Sequence, residues 1–295
     1  MAVRILAGLA ELAGRYDAAI LDSWGVLHDG VRPYPGVLEC LARMRAAGWQ
    51  MVVASNAPRA GESVRRQVED FGVPAEAYDG IVTSGDLTRA ALRERADAWH
   101  ASLGPRFYHL GPDRDHGLLD GLDLEQVAGP EDCDFILNTG LFDDETETEA
   151  DYAAFLVDAK RRGLPMLCAN PDIEVSRGGK SIPCAGAVAK AYEELGGDVA
   201  HHGKPNPAAF RECLALLPGI AAGRVLVAGD SLRTDIVGAK MAGIDALFVT
   251  GGIHAGEFAP GPDVSSDMPL DPVAVEAALD RAGAPVVAAV LHLVW

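Results

Sequence analysis

The chain is short of positive charge. Its 25 lysines and arginines face 43 aspartates and glutamates, a formal net charge of −18. Nucleic acid and anionic membrane both need a basic surface, so neither is an expected partner. Long apolar runs are missing as well: none approaches the ~20 residues that span a bilayer. Residues 1–15 carry Glu11 and lack a signal-peptide pattern. Cysteine is sparse. The five, Cys40, Cys133, Cys168, Cys184 and Cys213, are scattered and form no CxxC pair. That speaks against a disulfide framework or a zinc site and fits reduced, buried thiols in a cytoplasmic protein. Internal repeats and low-complexity linkers are also absent. What remains, 295 residues with 49% hydrophobic and 23% charged, is ordinary for a globular chain of two domains.

Short apolar, β-rich runs alternate with helical patterns, which predicts an α/β fold with a mainly parallel sheet. Strands are expected at 18–22, 51–54, 81–83, 224–228 and 246–249. Helices are expected at 36–47, 61–71, from about 86, and at 185–195, 207–216 and 235–242. The middle has strands of its own at 107–110, 135–138 and 166–169, with a long helix near 148–162. A Rossmann-like domain over 1–85 and 184–270 is therefore interrupted by a smaller α/β domain over 86–183. Residues 271–295 hold one helix and an apolar tail that packs on the core or on a partner subunit. The acidic run 143–149 reads as a solvated loop and a first helical turn.

Four signals fall at strand ends, where open α/β sheets place their chemistry. Asp22 ends Ala18-Ala19-Ile20-Leu21, and a carboxylate there can attack phosphorus directly. Ser55-Asn56 follow the second strand and can cradle a phosphoryl oxygen. Lys204 sits in Gly203-Lys204-Pro205-Asn206-Pro207, before a proline-initiated helix, and can offset carboxylate and phosphate charge. Asp230 and Asp235 lie in Gly229-Asp230-Ser231-Leu232-Arg233-Thr234-Asp235. Carboxylates held together repel unless a cation joins them, and oxygen ligands beside a phosphate suggest Mg²⁺.

The ordered set resembles the four motifs of the haloacid dehalogenase (HAD) superfamily over nearly the whole chain. The insertion, with Asn170-Pro171-Asp172 and Gly178-Gly179-Lys180-Ser181-Ile182-Pro183-Cys184-Ala185-Gly186, resembles the class IIA cap of the NagD-like sugar and nucleotide phosphatases. The resemblance implies a Rossmann-like HAD core with an inserted cap. It implies a hydrolase, phosphatase-like and Mg²⁺-dependent, that acts on a small phosphorylated metabolite through an aspartyl-phosphate. Asp22 would be nucleophile and metal ligand, with Asp230, Asp235 and the backbone carbonyl of Trp24 completing the metal site. Ser55, Asn56, Lys204 and the N–H groups of Ser23 and Trp24 would hold the phosphoryl group. Asn170 and Asp172 lie in the cap segment that would select the substrate. Cap-to-cap homodimers also follow from the resemblance.

One position departs from the family pattern. Its phosphatases read Asp-x-Asp-Gly, with the second Asp as general acid/base; here that residue is Trp24. Indole offers a single N–H donor and does not titrate in this range, so slow turnover of alkyl phosphates is expected. His28 or Asp29 could substitute for the acid, and the Trp24 ring could simply pack beneath the cap. A phospho-ligand-binding relative with impaired catalysis, or hydrolysis of a non-phosphoester bond, are the alternatives. Two further motifs are decoys. Gly178-Gly179-Lys180-Ser181 lacks the earlier glycine of a P-loop, since that position is Glu174. His201 and His202 are adjacent and point apart on a strand.

Overall fold

Every residue of the first strand, β1 (Ala18–Asp22), is buried, as expected for a strand covered by helices on both faces. The computed structural model describes residues 3–258 and 270–295. The further strands are β2 (Gln50–Ser55), β3 (Gly80–Thr83), β4 (Arg106–Leu110), β5 (Glu125–Val127), β6 (Phe135–Asn138) and β7 (Met166–Cys168). They continue with β8 (Glu174–Arg177), β9 (Lys180–Pro183), β10 (Val199–His201), β11 (Val225–Gly229), β12 (Asp245–Val249) and β13 (Ala288–Val290).

The core sheet runs β13-β12-β11-β1-β2-β3, all parallel. Successive β1 residues serve opposite cores. Ala19 and Leu21 pack with Val37, Leu41 and Met44, while Ala18 and Ile20 pack with Phe210, Ile236 and Val275. The strand order reverses between β1 and β11. In a doubly wound sheet, the crevice beyond the carboxyl ends at such a switch point binds the ligand.

The second sheet is β10-β7-β6-β4-β5 and is also parallel. Ile136 faces one apolar cluster and Phe135 and Leu137 the other. This sheet corrects the expected return to the core at 184. Helix Ala185–Glu194 buries Ala185, Val188, Ala189 and Tyr192 against Ile136 and Met166. Strand β10 then pairs with β7. The helix has the apolar spacing of any surface helix, and that spacing does not say which sheet it covers. The chain re-enters the core only at Gly203 and Lys204. The part of the expected core segment that covers 259–269 lies outside the described residues.

Three features add to the expected elements. An antiparallel hairpin pairs β8 with β9 through Gly178 (φ 56°) and Gly179 (φ 86°), the left-handed pair that a tight two-residue turn requires. The tail joins the core itself: β13 pairs with β12, and Trp295 meets Trp49 edge-on at 6.5 Å. Lastly, residues 232–236 form a π-helical turn where a regular helix start was expected. Such turns often mark functional sites.

Candidate active site

The crevice at the switch point collects three of the strand-end signals into one buried cluster. Asp22 closes β1, and Asp230 directly follows β11. Asp235 sits in the π-turn and is 1% exposed. One carboxylate oxygen from each lies within 4.8 Å of the others. Close approach needs the missing side chain of Gly25, which adopts φ 90° and would place a Cβ 1.8 Å from Asp230 Oδ2. Asp230 is fixed by the Ile253 N–H at 2.7 Å, and Asp235 accepts from the Ser231 N–H at 3.1 Å.

Lys204 lies in the middle of this charge. Its ammonium donates to Asp22 Oδ1 at 2.5 Å, to Asp235 Oδ1 at 2.7 Å and to the Ala54 carbonyl at 3.0 Å. Burial alone would favour loss of its proton, but Asp22, Asp235 and Asp172 outweigh that and hold the ammonium charged. One cation does not neutralise the site. Burial, then the Asp235 charge, push the Asp22 carboxyl up to about 7 despite Lys204. Burial and the charges of Asp22 and Asp235 also raise Asp230 well above the carboxylate range. Three buried carboxylates sharing one ammonium form a donor set suited to a hard divalent cation held by oxygen.

The other predicted residues take distinct places. Ser55 lines the same cavity, and its hydroxyl accepts the Ala57 N–H at 3.2 Å. Asn56 is committed elsewhere. Its amide donates to Asp172 Oδ1 at 3.0 Å and to the Lys204 carbonyl at 3.1 Å, and its oxygen accepts the Lys204 N–H at 2.8 Å. It therefore positions Lys204 and ties the core to the cap. Asn170 Oδ1 accepts the Asp172 N–H at 3.1 Å, and burial raises the Asp172 carboxyl. The Ser23 N–H donates to Asp22 Oδ1 at 2.8 Å, and its hydroxyl pairs with His28 Nε2 at 3.0 Å. His28 Nδ1 accepts the Gly30 N–H at 3.1 Å, and burial lowers the ring's pKa to about 4. His28 is therefore neutral and tied up at both nitrogens. Asp29 is spent on the turn: its Oδ1 accepts the N–H groups of Val31 and Arg32.

Trp24 is a latch between core and cap. Its indole N–H donates to the Ser176 carbonyl in β8 at 2.7 Å. The Arg177 guanidinium lies 5.7 Å from its ring. Beside it, the Gly178 N–H donates to the Asp29 carbonyl at 3.2 Å.

Core and cap enclose a cavity of about 350 Å³, near the small end for ligand sites. The cap segment expected to face the substrate lines this cavity, Asn170, Asp172 and Arg177 among its residues; sequence reasoning missed Arg114, Asp115, Thr139 and Asp144 of the cap and Arg59 of the core, which line it too. Asp144 is the exception in an acidic run that is otherwise exposed or half-buried, as expected. It is 9% exposed and pairs with Arg114 and with Arg177. The two histidines do diverge: His201 bonds Glu193 and His202 meets His100.

Known proteins give the context. Residues 19–125 match the haloacid dehalogenase-like hydrolase family, and residues 201–285 match a second, HAD-hydrolase-like family. A haloacid dehalogenase-like hydrolase from Brucella suis 1330 superposes with a TM-score of 0.83 at 35% identity, covering 97% of this chain and 99% of that one. D-glycerol 3-phosphate phosphatase from Mycobacterium tuberculosis is 28% identical over 84% of this chain, which spans 66% of that relative's length. The glycerol phosphate phosphatase structure from the same organism, in complex with magnesium, superposes with a TM-score of 0.61 at 26% identity. It covers 82% of this chain and 70% of that one. With its carboxylate cluster at the switch point of a Rossmann-like core and a second α/β domain closing over it, this chain belongs to the haloacid dehalogenase-like hydrolase family.

Proposed function

We propose that the chain is a Mg²⁺-dependent phosphatase for a small phosphorylated metabolite. The observation that carries this reading is Lys204, buried and bridging Asp22 and Asp235 while Asp230 completes the carboxylate cluster. Asp22, Asp230 and Asp235, with the backbone carbonyl of Trp24, would hold the cation. When bound, it neutralises the carboxylates and draws charge from a phosphoryl oxygen.

Asp22 attacks phosphorus, the ester bond breaks, and the phosphoryl group passes to its carboxylate. Lys204 and the Ser55 hydroxyl bind the phosphoryl oxygens together with the N–H groups of Ser23 and Trp24, the Ser23 N–H leaving Asp22 Oδ1, its partner in the free site, to do so. Water then hydrolyses the aspartyl-phosphate and restores Asp22. No group at position 24 can protonate the leaving alkoxide, since the indole N–H is committed to Ser176. Esters whose leaving group needs no proton are therefore the fastest substrates.

Among the described residues no helix is long and apolar enough to cross a membrane. We assign the protein to the cytoplasm, where its five free, buried cysteines stay reduced. The cap-to-cap homodimer that the resemblance implies is tested by analytical ultracentrifugation.

Turnover of p-nitrophenyl phosphate and acetyl phosphate with and without Mg²⁺, beside Asp22→Asn, tests the reading. Mg²⁺-dependent phosphate release that disappears in Asp22→Asn is expected. A wild type inert toward both esters would refute it.

A further inference from the structure

The apolar tail reaches the carboxylate cluster through one loop. Strand β12 stops at Val249, and residues 250–253 turn from there to Asp230. At the far end of the turn, the Ile253 N–H holds Asp230 Oδ2 at 2.7 Å. The near end is held by the tail. The Thr250 N–H donates to the Val290 carbonyl at 2.9 Å, and the Gly251 N–H donates to the Leu291 carbonyl at 2.8 Å. The Thr250 hydroxyl adds a bond to the Val290 carbonyl at 3.2 Å. These bonds carry the pairing of β12 with β13 beyond both strands, so the tail sets the path of the loop.

Two glycines let side chains press on this loop at close range. A Cβ on Gly252 would fall 2.0 Å from Asp230 Oδ2, and a Cβ on Gly251 would fall 2.3 Å from His292 Cε1. The Asp230 carboxylate therefore lies against one glycine and the His292 ring against the one before it. The ring is backed by Tyr34, on which it stacks with centroids 5.2 Å apart and planes 24° from parallel. The Tyr34 N–H is bound in turn to the Leu27 carbonyl at 3.1 Å. The tail beyond the ring is anchored too. Leu293 is fully buried, the Leu9 N–H donates to the Val294 carbonyl at 2.8 Å, and a Cβ on Gly8 would fall 2.5 Å from the Trp295 carbonyl carbon. His292 Nδ1 is buried and makes no hydrogen bond among the described residues. Burial lowers the ring's pKa, so it is neutral and adds no charge to the cluster. Its hold on Gly251 is one of shape, and a close-packed interior transmits it.

We infer that His292 is a positioning residue for the metal site: pressed on Gly251, it fixes the 250–253 loop and, through the Ile253 N–H, the carboxylate of Asp230. It touches neither substrate nor cation. The inference rests on the reading of Asp22, Asp230 and Asp235 as a Mg²⁺ site. Groups that orient a metal ligand from behind are worth about 10–100-fold in metal affinity.

The test is Mg²⁺ binding to the full chain without substrate, by isothermal titration calorimetry, with urea unfolding in the absence of metal alongside. His292→Ala opens space behind Gly251 and should raise the Mg²⁺ Kd about 10-fold or more. Gly251→Ala drives a methyl group into the ring and should raise it in the same sense, so the test does not hang on one variant folding. Leu293→Ala is the control. It empties a core position one residue along the same tail, so it should lower the urea midpoint and leave the Mg²⁺ Kd at the wild-type value. An unchanged Kd in the folded His292 or Gly251 variant overturns the inference. An equal rise in Leu293→Ala also overturns it, because general loosening of the tail would then suffice. A wild type that binds no Mg²⁺ would refute the metal-site reading itself, and this inference with it.

Discussion

Replacing Trp24 by aspartate separates two things this residue does. The first is docking. The substitution removes the indole hydrogen bond to Ser176, worth about 1 kcal/mol, and the Arg177 contact over the ring, worth about 0.5–1 kcal/mol. A cap held less firmly by about 2 kcal/mol should cost all substrates roughly 30-fold in kcat/KM. The second is chemistry. A carboxyl at position 24 can protonate a leaving alkoxide, a contribution of about 10²–10⁴-fold. Nitrophenolate needs no proton, so it gains nothing. The docking loss falls on both esters and cancels in their ratio. Trp24→Asp should therefore shift the kcat/KM ratio of propyl phosphate to p-nitrophenyl phosphate by about 10²–10⁴ in favour of the alkyl ester. Trp24→Phe is the control. It loses the N–H without adding an acid, so both esters should slow about fivefold together, the effect of one hydrogen bond. The measurement is initial-rate phosphate release from both esters at saturating Mg²⁺. A ratio unchanged within about threefold, against the range expected for an added acid, would refute the claim that Trp24 leaves the site without one.

Three further outcomes follow from the same geometry. Lys204→Met leaves three buried carboxylates uncompensated, so urea unfolding without metal should show a loss of about 3–5 kcal/mol and turnover should vanish; a stable, active variant would contradict the bridging role. Mg²⁺ at about 100 times its Kd should stabilise by about 2.7 kcal/mol, and a thermal melt should show the gain shrinking from pH 8 to pH 5.5, because protons compete for Asp22 below about 7. His109, lowered by burial to about 4, is neutral in the fold, whereas the unfolded imidazole titrates near 6.5. The unfolded chain then binds more protons between those values, so stability falls as pH drops from about 6.5 to 4, by up to about 3 kcal/mol for this one ring. Denaturation curves of His109→Gln should show that much less acid sensitivity than wild type, and equal slopes would count against it.

The core and the phosphoryl end of the site were legible because each signal is local. Asp22 follows four buried apolar residues in one strand, and Asp230 does the same after β11, so sequence order alone puts both at sheet ends. What escaped is what tertiary contact makes. Asp115 and Asp144 lie 29 positions apart in an acidic stretch of sequence, where solvation is the ordinary expectation. Only the folding of the cap sheet turns their side chains to one wall. The β8–β9 hairpin differs, since its signal is local: Gly178-Gly179 between two short runs is a two-residue turn sequence. That hairpin matters because it carries Ser176, the partner of Trp24 from 152 positions away. The residue in the acid position is thus explained by a strand the local reading did not see. Its indole gives up proton transfer and holds the cap over the nucleophile instead. An aspartate at position 24 would bring a titratable carboxyl, but as a carboxylate it has no hydrogen to donate to the Ser176 carbonyl. In this chain, closing the cavity and protonating the leaving group compete for one residue.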